Sequence, residues 1–209
     1  MSEKPETRTD EPRKTEGLAF FKGFLRNPEQ VGSIVPSSRF LEKRIIQAAE
    51  LDQARVIVEL GPGTGGTTRA FLRAMPATAR HLAIELDAVF IPLLNDIGDA
   101  RLINHNGNAV DIQAILQHYG LPQPDAVISG IPFSTMPRST GEAIIKAVWA
   151  SLVPGGRFVA YQFRGQVADI ASTTLGQPDV ELELVNIPPM RVYRWCKPLN
   201  GKSHSHPAV

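Results

Sequence analysis

The chain is short of cysteine, of excess charge and of long apolar runs. Cys196 is its only cysteine, so an intrachain disulfide and a cysteine-rich metal centre are both excluded. That usage fits a reducing compartment. Lys and Arg number 22 against 21 Asp and Glu, a net charge of +1. Proteins that live on nucleic acid usually carry a stronger basic excess, so the balance counts against such a partner. No apolar run approaches the ~20 residues of a membrane span. The opening MSEKPETRTDEPRKTE has no apolar core and does not read as a signal peptide. The expectation is a cytoplasmic monomer, either soluble or lying on the inner face of a membrane.

What remains suits one domain. The 209 residues, 43% of them hydrophobic, can close a sizeable core. Residues 1–16 and 199–209 read as disordered tails. His204 and His206 in the second tail are stray polar residues rather than a metal site, and no metal is expected.

Between the tails, apolar strands alternate with helices. VIVEL (56–60), HLAIEL (81–86), ARLINHN (100–106), DAVISG (125–130) and RFVAYQF (157–163) are strands. Helices are expected over 67–74, in AVFIPLLNDI, in DIQAILQHY and in STGEAIIKAVWASL. Val, Ile and Leu with little alternation indicate burial on both faces, and the βα rhythm indicates a doubly wound parallel sheet. VELELVNI (180–187) and RVYRWC (191–196) are separated by too few residues for a parallel crossover, so they must be antiparallel. The fold class is therefore α/β, Rossmann-like: seven strands, mostly parallel, with a C-terminal antiparallel hairpin. Helices over 17–50 precede a main domain over 51–198.

The loop after the first strand is GPGTGG. Gly61, Gly63 and Gly66 match G-x-G-x-x-G, the dinucleotide fingerprint. Glu59 with Gly61, Gly63 and Gly65 matches E-x-G-x-G-x-G, the pattern of class I methyltransferases that use S-adenosylmethionine. Three features favour the second pattern. Glu85 ends the second strand, 20 residues after Gly65, where a carboxylate would hold ribose hydroxyls. Asn108 and Ala109 follow the third strand, where the adenine would lie. The terminal hairpin completes that fold. Asp87 is expected to cap the next helix.

Ahead of the sheet, GLAFFKGFLRN (17–27) is amphipathic. Phe20, Phe21, Phe24, Leu18 and Leu25 fall on one arc of roughly 160°, opposite Lys22 and Arg26. Seven basic residues lie between Arg13 and Arg44 against three glutamates, a surplus of four. An interfacial contact with anionic lipid fits this helix, and so does a helix packed on the body.

RNPEQVGSIVPSSRFL (26–41), VIVELGPGTG (56–65), AIELD (83–87), VISGIPF (127–133) and RVYRWCKP (191–198) together resemble the bacterial phospholipid N-methyltransferases. Their relatives methylate the amine of ornithine lipids. The chain is also similar, more distantly, to the rRNA adenine dimethylases. Those carry N-L-P-Y or N-I-P-F after the fourth strand, where Gly130 stands here. The resemblance implies a methyl transfer from S-adenosylmethionine to the head-group amine of phosphatidylethanolamine, at an anionic membrane surface. It places Glu59, Gly61, Gly63 and Gly65 at the methionine end of the cofactor. Glu85 is then at the ribose, and Asn108 and Ala109 flank the adenine. Ser129, Gly130, Ile131 and Pro132 would border the amine, Ser129 touching the cofactor as well, with the glycine leaving room for a head group. Tyr161 is a candidate partner of the amine, and Arg164, Arg191 and Arg194 of the phosphate. No side chain stands out as a general base, His105 included. The readings left open are an ornithine-lipid, RNA or small-molecule methyltransferase, a nicotinamide enzyme, and a non-catalytic protein that binds lipid or cofactor.

Overall fold

The computed structural model describes residues 39–185 and 189–199. The expected amphipathic helix with Phe20, Phe21 and Phe24 lies outside them, as do residues 26–38 of the first segment of the resemblance.

The chain begins its described course with α1 (Arg39–Ala49). Leu41, Ile45, Ala48 and Ala49 repeat at helical spacing and are buried. They pack on β1, β4, β5 and β7 in a core cluster with Phe71 and Leu72. The helix is thus a layer of the fold.

The parallel elements follow in order: β1 (Val56–Leu60), α2 (Gly66–Ala74), β2 (Arg80–Glu85), α3 (Ile91–Asn95), β3 (Leu102–Asn106), α4 (Ile112–His118), β4 (Ala126–Ser129), α5 (Arg138–Ser151) and β5 (Arg157–Gln162). Short 3-10 turns precede α3 and α4. A helix not expected from the sequence, α6 (Gln166–Leu175), follows β5. Its buried face is Val167, Ile170 and Ala171, at spacings of three and one. Then come β6 (Asp179–Glu183) and β7 (Met190–Cys196).

The sheet order is β3-β2-β1-β4-β5-β7-β6. β7 is antiparallel to both β5 and β6, as their short connection requires. Chain order reverses between β1 and β4, so a crevice opens beyond their carboxyl ends, the usual ligand position in such sheets. Five parallel strands end on that edge, at Leu60, Glu85, Asn106, Ser129 and Gln162. β1 and β4 are buried along their whole length, whereas the outer strand β3 is half-buried. Among the described residues no helix is long and apolar enough to cross a membrane.

Candidate active site

Backbone conformation selects between the two glycine patterns. Gly61, Gly63 and Gly65 have φ of 72°, 57° and 79°, the left-handed region that side chains rarely adopt. A Cβ on Gly65 would come within 2.9 Å of Ile97. Gly66 has an ordinary φ, opens α2, and has nothing within 4 Å of the place of a Cβ. The glycine pattern that the geometry demands is therefore E-x-G-x-G-x-G.

Glu85 is fully buried, directly beside this loop. Its Oε2 accepts the Gly63 N–H at 3.0 Å and its Oε1 accepts the Asp87 N–H at 2.9 Å. Burial raises its pKa above the ordinary 4.5, and the two backbone N–H groups work against that rise. An ionised carboxylate has about four lone-pair sites, so capacity remains for hydroxyl donors such as a ribose diol. Asn106 braces the corner, with Nδ2 donating to the carbonyls of Glu85 and Leu86. This brace was not foreseen; an asparagine closing the neighbouring strand was its only signal.

Glu59 sits below the loop. It is fully buried and accepts the hydroxyls of Thr67 and Thr68, each at 2.7 Å. His81, also fully buried, brings Nε2 to 3.2 Å from Glu59 Oε2. The carboxylate thus ties the first turn of α2 to β1. The two threonines were not singled out from sequence, although they follow the glycines directly.

Asn108 is exposed and uses its side chain to cap the 3-10 turn, accepting the Val110 N–H at 3.1 Å. Ala109 beside it is buried. Asp87 caps the 3-10 turn before α3 in the same way, as expected. His105 faces Tyr119 at 3.1 Å, and burial lowers its pKa.

Across the crevice lies the turn after β4. Ser129 is fully buried, and its Oγ accepts the Ile131 N–H at 3.3 Å. Gln162 Nε2 donates to the Ile131 carbonyl at 2.7 Å, a clamp not anticipated from sequence. A Cβ on Gly61 would lie 3.1 Å from Ile131, so the turn touches the glycine loop.

The expectation that Gly130 leaves room for a head group needs correction. A Cβ there would sit 2.3 Å from Tyr161 Oη, 2.9 Å from its Cζ and 3.4 Å from the Gly61 carbonyl. The tyrosine of β5 fills that space, and the register Ser129↔Ala160 puts it there. Burial, first, and the Glu59 charge push the pKa of its hydroxyl up. It therefore keeps its proton at neutral pH. It can donate or accept a hydrogen bond but does not serve as a base.

The three arginines separate. Arg191 pairs with Gln162 at the crevice edge, is exposed, and donates Nη1 to the Phe163 carbonyl at 3.1 Å. Arg164 is exposed on the loop beyond β5. Arg194 pairs with Val159, three residues below the edge, and is held by Asp179 at 2.8 Å. The structure does not bring it to the site, because its register places it partway down the sheet. Among the described residues no His, Cys, Asp or Glu group could hold a metal ion.

This architecture can now be set beside known proteins. The family model of ribosomal RNA adenine dimethylases matches residues 28–153. The chain belongs to that family. It is accordingly an S-adenosylmethionine-dependent methyltransferase. It is 30% identical over 141 residues to the ornithine lipid N-methyltransferase of Singulisphaera acidiphila, covering 66% of this chain and 73% of that one. It is 35% identical over 95 residues to ribosomal RNA small subunit methyltransferase A of Caulobacter vibrioides, covering 44% and 34%. The methyltransferase thus spans about a third of the length of that RNA-modifying relative. Among solved structures, the 1,6-didemethyltoxoflavin-N1-methyltransferase of Burkholderia thailandensis, crystallised with S-adenosylhomocysteine, matches at TM-score 0.65 and 17% identity over 94% of this chain and 93% of that chain. The N-methyltransferase NodS of Bradyrhizobium japonicum matches at TM-score 0.63 and 12% identity over 79% and 98%. The fold is the Rossmann-like methyltransferase fold expected from the sequence. Left-handed glycines and a buried carboxylate with spare lone pairs fit the cofactor.

Proposed function

We propose that this methyltransferase acts on the head-group amine of a membrane lipid, with phosphatidylethanolamine as the first substrate to test. The observation that carries this reading is the occupation of Gly130's side-chain space by Tyr161. The resemblance to the rRNA adenine dimethylases implies that the asparagine they carry at this place holds a planar base amine. This turn has no carboxamide, and one phenol hydroxyl stands in the space. A single hydroxyl suits a flexible primary amine, which needs orientation but no planar clamp.

S-adenosylmethionine supplies an activated, electrophilic methyl group. The chain's own task is positioning, which accounts for much of the barrier lowering when two reactants must meet. Glu59 and Glu85 fix the glycine loop from below and from the side. Gln162 and Ser129 fix the acceptor turn. The Tyr161 hydroxyl orients the amine, while Arg164 and Arg191 meet the lipid phosphate, for which guanidinium geometry is suited. The amine must be deprotonated before it attacks. No side chain of the site is assigned as base, and water or the lipid phosphate accepts that proton.

Ornithine lipid is the second reading, favoured by the Singulisphaera relative. The test is mass spectrometry of total lipids from a bacterial host that makes phosphatidylethanolamine and no methylated forms, with and without this protein. Methylated phosphatidylethanolamine supports the first reading. An unchanged profile, with folded and cofactor-binding protein present, rejects it. The same assay in a host that makes ornithine lipid then decides the second.

A further inference from the structure

Four exposed apolar side chains lie toward one corner of the sheet. Phe163 is 50% exposed, Leu182 46%, Leu184 67% and Val185 60%. They come from two chain segments that the register unites, since Arg191 pairs with both Gln162 and Leu182. β5 and β6 run in the same direction, so residues 163 and 184–185 leave from the edge that also bears the glycine loop and the Gly130 turn.

The exposed charge at this corner is basic, while Glu183, which accepts the Val185 N–H at 2.9 Å, is buried and held by Arg44. Arg164 and Arg191 are exposed there. Paired residues of neighbouring strands share a face, so Glu181 and Glu183 lie with Val192 and Met190 on the α1 side. Arg44 of α1 holds both glutamates, at 2.9 Å and 2.5 Å. The acids of β6 are thus drawn away from Arg191 and Leu182. Apolar side chains interleaved with exposed guanidinium groups match the boundary between acyl chains and anionic head groups.

We propose that this corner, Phe163, Arg164, Leu182, Leu184, Val185 and Arg191, docks the protein on an anionic lipid bilayer. The proposal rests on the lipid reading above and adds the part of the folded body that meets the membrane. Two features favour a bilayer over a second copy of the chain. Three of the four apolar groups, Phe163, Leu184 and Val185, leave from strand ends and loops, and only Leu182 stands on the edge strand β6. The corner is also continuous with the acceptor turn, because Gln162, next to Phe163, holds the Ile131 carbonyl. A lipid whose tails stay in the bilayer reaches that turn only when this edge faces the membrane.

The experiment uses the full chain with Leu184→Cys in a Cys196→Ser background, since Cys196 is exposed and would also react. An environment-sensitive fluorophore on residue 184 reports immersion in phosphatidylglycerol-rich vesicles, with pure phosphatidylcholine vesicles as reference. A blue shift with the anionic vesicles is expected. Phe163→Ser with Val185→Ser should weaken co-sedimentation by about 10-fold or more. An unshifted fluorophore on protein that co-sediments overturns the proposal, because docking then occurs elsewhere. A fluorophore already blue-shifted in buffer and unmoved by vesicles also overturns it, with another segment or a second copy covering the corner. Absence of vesicle binding by the parent overturns it too. Turnover of detergent-dispersed lipid, measured in parallel, separates the two readings. Dispersed lipid methylated with an unshifted fluorophore defeats only the docking surface. A blue shift without methylation of any lipid defeats only the lipid-substrate reading.

Discussion

The two banks of the crevice are built differently. On the β1–β2 bank, the proposed cofactor side, the contacts come from short stretches of chain and from backbone N–H groups. Residues 59–68 supply the loop and its buried anchor, and Glu85 receives the Gly63 N–H. On the β4–β5 bank, the proposed acceptor side, the contacts beyond the local Ser129–Ile131 bond join residues about thirty apart, as Gln162 with Ile131 and Tyr161 with Gly130. The first bank is written as a motif. The second is written as a register.

The largest effect should follow from breaking the first bank. Glu85→Ala strands the buried Gly63 and Asp87 amides, at about 1–3 kcal/mol for each unsatisfied group. S-adenosylmethionine affinity should fall by about 100-fold or more in calorimetry, while the acceptor turn stays folded. An unchanged affinity would remove Glu85 from the ribose.

Next comes a pair of neighbouring substitutions. Gly65→Ala forces a side chain into left-handed backbone against Ile97. It should cost about 1–3 kcal/mol in denaturant unfolding, and affinity with it. Gly66→Ala enters open space at a helix start and should be neutral, or stabilising by up to about 1 kcal/mol. Equal losses at both positions would revive the dinucleotide fingerprint.

The second bank is broken by Gly130→Ala, whose Cβ meets Tyr161 Oη at 2.3 Å. Methyl transfer should drop by about 10-fold or more, with cofactor affinity nearly intact, since overpacking of this kind costs about 1–3 kcal/mol. Adding Tyr161→Phe removes the closer of the two clashing atoms and should restore part of the turn's stability without restoring turnover. Recovery of full turnover would show that the hydroxyl does not orient the amine.

The smallest effect is in pH. Burial raises the Glu85 pKa above 4.5, so the folded protein takes up this proton at higher pH than the unfolded chain. The sign follows from linkage: from acid through that window, the Glu85 contribution to stability declines as pH rises. Cofactor affinity should run the opposite way, because hydroxyl donors need the ionised carboxylate. Calorimetry from neutral pH downward should show affinity falling before ordinary carboxylates titrate, and Glu85→Gln should flatten that slope.

The same contrast explains what the sequence could show. The seven strands, the antiparallel hairpin and the loop were legible because apolar runs, short connections and left-handed glycines are local constraints. Helix α6 was not, because Ser172, Thr173 and Thr174 blur the spacing of Val167, Ile170 and Ala171. Gly130 was read correctly as a departure from the asparagine and wrongly as empty space, since its occupant comes from another strand. Arg191 and Arg194 look alike in sequence, yet three residues of register put one at the crevice and the other against Asp179.

The position of β7 has a consequence during synthesis. The glycine loop, Glu85 and the Gly130 turn have all been made by about residue 133, and β5 by Gln162. Among the described residues, the free edge of β5 is covered by Met190–Cys196 alone, and β6 pairs with β7 alone. Until those late residues leave the ribosome, the nascent chain carries a finished cofactor cradle beside an open parallel sheet edge, the kind of surface that recruits other chains. A short C-terminal truncation would therefore cost more in aggregation than its length suggests, while sparing the glycine loop and Glu85.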